Sequence, residues 1–151
     1  MSQGVEHVAT PDDPNARAII HAYEDTVMSE GAHASYEKHF SPDAFYVFYG
    51  NSPVAGRYEG IDGLKRFWDT ITALADPIPS PVIELAGGGF LMYHVQVDFT
   101  APSGETFTTK IAGNYEVEGD KILSGRFWAF DQDDLDAFLR RARAWLDRNA
   151  S

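Results

Sequence analysis

Residues 93–100 read Tyr-His-Val-Gln-Val-Asp-Phe-Thr, an unbroken alternation of apolar and polar side chains. Successive side chains of a strand point to opposite faces, so a β-strand sorts this run into an apolar row (Tyr93, Val95, Val97, Phe99) and a polar row (His94, Gln96, Asp98, Thr100). The polar row is then either a solvated sheet face or the wall of a pocket. In the second case Asp98 is a carboxylate inside an aromatic-lined cavity.

The strand has company. Gly87-Gly88-Gly89 reads as a hairpin turn between a strand at 82–86 and one at 90–100. Pro102-Ser103-Gly104 turns the chain into a long strand at 106–118, and Gly119-Asp120 into a fourth at 121–130. An aromatic, β-branched run at 45–49 predicts a further strand near the start of the chain.

Helical spacing accounts for the rest. The turn at Thr10-Pro11-Asp12-Asp13-Pro14 opens a helix that buries Ile20 and Tyr23 and ends near Gly31. A shorter helix at 32–40 presents Tyr36 and Phe40. Gly60-Ile61-Asp62 opens a helix bearing Leu64, Phe67, Ile71 and Leu74, which the proline-rich segment 76–81 stops. A last helix at 133–149 carries the stripe Leu135, Phe138, Leu139, Ala142, Trp145 and Leu146. Residues 1–13 read as a flexible arm and 14–151 as one domain. Helices segregated to one face of a largely antiparallel sheet make an α+β domain, and a sheet curled around them opens an internal apolar pocket.

Composition narrows the chemistry. Twelve basic against 23 acidic side chains give a formal charge of −11, which repels phosphate backbones and anionic lipid, so neither nucleic acid nor membrane is an expected partner. The absence of cysteine removes thiolate catalysis and disulfides. No apolar run approaches membrane-spanning length and residues 1–14 lack a signal-peptide core, so a cytoplasmic location is expected. His7, His21, His33, His39 and His94 show no metal-ligand spacing. There is no Walker sequence and no Gly-x-Ser-x-Gly elbow. The expectation is side-chain chemistry with no cofactor and no metal.

Phe40-Ser41-Pro42-Asp43-Ala44, the segment from Gly56 to Asp62, and Gly119-Asp120-Lys121-Ile122 together give a layout that resembles the nuclear transport factor 2-like superfamily. Its SnoaL-like polyketide cyclases, ketosteroid isomerases and limonene epoxide hydrolases share a cone-shaped, cystatin-like α+β fold. In that fold a curved antiparallel (mixed) sheet wraps around N-terminal helices, with an internal pocket and a C-terminal helix. Tyr49-Gly50-Asn51 resembles the Tyr-x-Asn of the epoxide hydrolases, and Asp98 falls at the place of one of their catalytic aspartates. Gln96 replaces their arginine, and Trp128 their second aspartate. At the position of the ketosteroid isomerase base the chain offers Asn51 or Ser52.

The resemblance implies that His94, Gln96, Asp98 and Thr100 face the cavity, with Thr109, Ile111, Gly113 and Tyr115 from the next strand and Arg126, Trp128 and Phe130 from the last. Asp98 is then the expected base of a cofactor-independent acid–base enzyme (isomerase, cyclase, lyase or hydratase) acting on a small hydrophobic polyketide or terpenoid substrate, aromatic ones included. His94, Tyr49 and Arg126 are its expected catalytic partners, with Tyr46 competing for the place of Tyr49. Asn51, Gln96, Ile71, Leu74, Thr109, Ile111, Tyr115, Trp128 and Phe130 are expected to bind substrate. The alternatives are a non-catalytic module that binds small ligands or dimerises, and an epoxide hydrolase with an altered triad. By the same mapping Tyr93, Val95, Val97, Phe99, Phe127 and Ala129 form an apolar convex face, which predicts a homodimer through the sheet.

Overall fold

In a computed structural model of the chain, residues 4–150 are described. Helix α1 (Pro14–Glu30) starts where proline presets the first turn and the Asp13 side chain caps it, accepting from the Ala16 amide at 3.0 Å. The same carboxylate accepts from the Gly89 amide at 2.8 Å. Asp12 pairs with Gly87, so the end of the expected arm is held rather than loose. Helix α2 (Ala32–His39) leads directly into strand β1 (Phe40–Phe48), five residues earlier than the aromatic run suggests. Strand β2 (Gly56–Glu59) precedes helix α3 (Gly60–Leu74), and the chain continues through β3 (Asp76–Pro79), β4 (Ile83–Gly87), β5 (Phe90–Thr100), β6 (Thr106–Glu118), β7 (Lys121–Ala129) and helix α4 (Gln132–Asn149).

The seven strands form one mixed sheet in the order β2-β1-β7-β6-β5-β3. Strand β5 is long enough that β4 pairs with its first half and β3 with its second, end to end along one edge. The prolines of β3 stop α3, as the sequence suggests, and they also sit in an edge strand, where a missing N–H is tolerated. Gly88 and Gly89, at φ 59° and 82°, supply the two left-handed residues of a tight β4–β5 hairpin. Strands β1 and β7 run parallel, and the other pairs are antiparallel. Helices α1–α3 lie in the concavity of the sheet, giving the α+β architecture of a sheet curved around N-terminal helices. Among the described residues no helix is long and apolar enough to cross a membrane.

The facing of the sheet reverses the expectation on two strands. On β5, Leu91, Val95, Val97 and Phe99 are buried, while Met92, Gln96, Asp98 and Thr100 are exposed. Hydrophobic burial decides this: inverting the strand would put these four apolar side chains in water. On β7 the registers Val117↔Ile122 and Glu116↔Ser124 leave Leu123 as an extra residue. The bulge shifts the inward parity from Ile122 to Gly125, Phe127 and Ala129. Arg126, Trp128 and Phe130 consequently point outward. The apolar convex face inferred for Tyr93, Val95, Val97, Phe99, Phe127 and Ala129 is therefore the inner face. On β6, Thr109, Ile111, Gly113 and Tyr115 are buried on that inner face.

Helix α4 closes one end of the concavity. Phe138 stacks on Phe107 at 5.4 Å and lies 6.3 Å from Phe99. Its buried Asp136 accepts from the Asn51 amide at 2.7 Å and from Gln132 Nε2 at 2.9 Å, tying the β1–β2 loop to the helix.

Candidate functional site

Five tyrosines converge inside the fold: Tyr23 from α1, Tyr36 from α2, Tyr46 from β1, Tyr93 from β5 and Tyr115 from β6. Together with residues such as Phe67, Ile71, Pro77 and Phe127 they line a cavity of about 180 Å³. None of its lining residues is charged. Two strand glycines make room for the rings. A Cβ on Gly113 would overlap the Tyr93 ring, and one on Gly125 would sit 2.6 Å from the Tyr46 ring. Tyr93 stacks on Tyr115 at 5.7 Å, Tyr23 on Tyr36 at 6.1 Å, and Tyr46 meets Phe127 edge-on at 4.8 Å.

The hydroxyls give this apolar cage its polarity. Tyr23 and Tyr46 share a hydrogen bond of 3.1 Å. The buried Tyr36 hydroxyl lies near both, yet it has no hydrogen-bond partner among the described residues. Burial raises the pKa of all five phenols above the ordinary tyrosine value. They therefore stay protonated at neutral pH and act as hydrogen-bond donors to an oxygen placed among them.

A groove of about 350 Å³ adjoins the cavity and shares Tyr23, Trp68, Tyr93 and Tyr115 with it. Val27, Met28, Pro79 and Val82 make it apolar, and Glu24 is its single charged residue. Glu24 is exposed as a residue. Enough protein surrounds its carboxyl that burial raises its pKa, with Glu84 and Asp25 adding to the rise and His21 opposing it.

The expected site residues divide between the two faces. Ile71, Ile111 and Tyr115 line the cavity. Leu74 and Thr109 are buried but lie outside its lining. Asp98 is exposed on the outer face, where it accepts from Thr108 Oγ1 at 2.6 Å. His94 is half-buried beside Phe130 on that outer face, and Gln96 is exposed there. Arg126 Nη1 donates to the Tyr49 hydroxyl at 3.3 Å, and Trp128 meets the Tyr49 ring edge-on, all on the outside. Asn51 is exposed, its carbonyl accepting from Arg140. Of the two competing tyrosines, Tyr46 lines the pocket and Tyr49 does not. The expected base and its partners are thus separated from the cavity by the sheet itself.

Reasoning from the sequence missed Tyr23, Tyr36, Tyr93 and Phe67 as cavity residues, and Glu24 at the groove. One signal was available: isolated glycines inside strands, at 113 and 125, mark a close approach by another group.

No family model and no curated protein matches the chain. Solved structures do match it. An NTF2-like protein from Burkholderia xenovorans LB400 aligns over 89% of this chain and 97% of its own, with TM-score 0.72 and 19% identity. A candidate SnoaL-like polyketide cyclase from Jannaschia sp. CCS1 covers 89% and 98%, with TM-score 0.67 and 12% identity. TerC, co-crystallised with polyporic acid, covers 84% and 98%, with TM-score 0.65 and 20% identity. The chain has the NTF2-like fold in the form shared with SnoaL-like proteins.

Proposed function

We propose that the protein binds a small aromatic molecule in the tyrosine cage, with a carbonyl or hydroxyl oxygen of the ligand held by the Tyr36 hydroxyl and the Tyr23–Tyr46 pair. The observation that carries this reading is an uncharged aromatic cavity containing a buried hydroxyl that no group among the described residues satisfies. Buried polar groups are nearly always paired, so an unpaired one aimed at a cavity favours a ligand acceptor or donor. Size agrees: an engineered apolar cavity of roughly 150 Å³ accommodates benzene, so a cavity of about 180 Å³ suits a single substituted ring. The fold neighbour co-crystallised with polyporic acid supports an aromatic, oxygen-bearing ligand class. Without a carboxylate or imidazole in the cavity lining, binding is better supported than base catalysis. Titration with single-ring phenols and quinones, followed by calorimetry, tests it. Tyr36→Phe should weaken the preferred ligand about fivefold to tenfold through one lost hydrogen bond. No binding by any member of the panel, or binding indifferent to Tyr36→Phe, overturns the reading.

The outer sheet face supports a second proposal, that two copies of the chain pair through it. Ile83, Leu85, Met92 and Phe130 are 62%, 77%, 54% and 58% exposed, and with His94 and Ala112 they line one shallow groove. Lys110 and Arg126 balance Asp98 and Glu116 on the same face, so it escapes the acidic excess that repels copies elsewhere. A two-fold pairing is self-complementary and covers such a patch with its own copy. Sedimentation should give a dimer that Leu85→Glu dissociates. A monomer at micromolar concentration refutes it.

A further inference from the structure

We propose that the groove beside the cage receives a cationic end of the ligand, an ammonium on a short chain from the ring, and that Glu24 is its partner. The inference rests on the cage binding the ring. Glu24 is the one charged residue lining the groove, and it has no hydrogen-bond or ion-pair partner among the described residues. The neighbouring acid is already engaged: Glu84 accepts from His21 Nε2 at 2.6 Å and pairs with Arg17 Nη1 at 3.1 Å. That engagement holds β4 against α1 and leaves Glu24 free in the groove.

Three features point to a cation. Tyr23, Trp68, Tyr93 and Tyr115 line the groove, and aromatic faces attract cations through their quadrupole. The carboxyl is partly desolvated, which its raised pKa reflects, so an arriving ammonium gains more from it than from a carboxylate in bulk water. The protein carries a formal charge of −11, which draws cations toward the mouth and repels acids. The layout places ring and oxygen in the cavity and the ammonium in the groove, on either side of the shared Tyr23, Tyr93 and Tyr115.

Calorimetry with 4-ethylphenol, tyramine and 3-(4-hydroxyphenyl)propionate tests the proposal, because the three share ring and hydroxyl and differ in the charge at the chain end. The wild-type protein should bind tyramine about tenfold more tightly than 4-ethylphenol, the scale of one charge-assisted contact, and the acid more weakly than either. Glu24→Gln should abolish that preference while leaving 4-ethylphenol unchanged. Asp98→Asn removes the same charge from the far face of the sheet and should keep the preference, which separates local recognition from net charge. Equal binding of tyramine and 4-ethylphenol, or a preference that survives Glu24→Gln, overturns the role of Glu24 and leaves the cage intact. Failure of all three compounds to bind overturns the cage and this inference together.

Discussion

Replacing Tyr36 with phenylalanine should make the ligand-free protein more stable. Tyr36 is fully buried, and its hydroxyl bonds to nothing among the described residues. A buried polar group without a partner carries a desolvation penalty of about 1–3 kcal/mol, and removing the oxygen removes that penalty. The ring keeps its place, stacked on Tyr23 and edge-on to Phe40 and Tyr46 at 5.4 and 5.8 Å, so little packing is lost. A net gain of about 1–2 kcal/mol follows, and for a chain of this size each kcal/mol raises Tm by about 2–4 °C.

The neighbouring tyrosine gives the opposite sign. Tyr46→Phe breaks the 3.1 Å bond to Tyr23, the one hydrogen bond that the Tyr23 hydroxyl makes among the described residues. The expected loss is about 1–3 kcal/mol. Urea unfolding of the wild type and both variants, read by circular dichroism, measures the two values against one reference. The pair of signs is the test, since generic damage to the core would lower both midpoints. A Tyr36→Phe protein less stable than wild type by more than about 0.5 kcal/mol would refute the assignment of an unsatisfied hydroxyl.

Two further outcomes follow from the geometry. Asp98→Asn should change stability by no more than about 0.5 kcal/mol and leave phenol binding untouched, because the side chain is exposed and the amide oxygen still accepts from Thr108; a tenfold loss of binding would mean that β5 faces the other way. His39 has a pKa below the ordinary histidine value, chiefly from burial and then from Lys121 and Lys38. The unfolded chain therefore takes up the proton first, and this group's effect is absent above about pH 6.5 and destabilising as pH falls through the window below it. His39→Gln should flatten that part of the stability–pH curve, and an unchanged slope would show that another group titrates there.

The sheet was largely legible in the sequence, and its facing was not, for reasons that lie in particular residues. Alternation in 93–100 fixes which side chains share a face but not which face is inside. The rule that the apolar row goes inward gives the observed answer for Val95, Val97 and Phe99, whereas the family mapping that aimed Asp98 at the cavity inverts it. On β7 counting by twos from the buried Ile122 arrives at Arg126 and Trp128, because the extra residue Leu123 is invisible in the amino-acid pattern and shows only in the pairing with Glu116 and Val117. The cage was harder still. Tyr23 and Tyr36 look like ordinary core positions on amphipathic helices, and Tyr46 and Tyr93 like ordinary strand aromatics. Their hydroxyls meet only because α1, α2 and the sheet converge, and because Gly113 and Gly125 leave the inner face bare where two rings lie. A polar site built from residues that each pass for core leaves no separate signature in the amino-acid pattern. On the proposed reading the phenol supplies apolar surface to the fold and a donor to the ligand, so packing and binding make their demands on the same side chains.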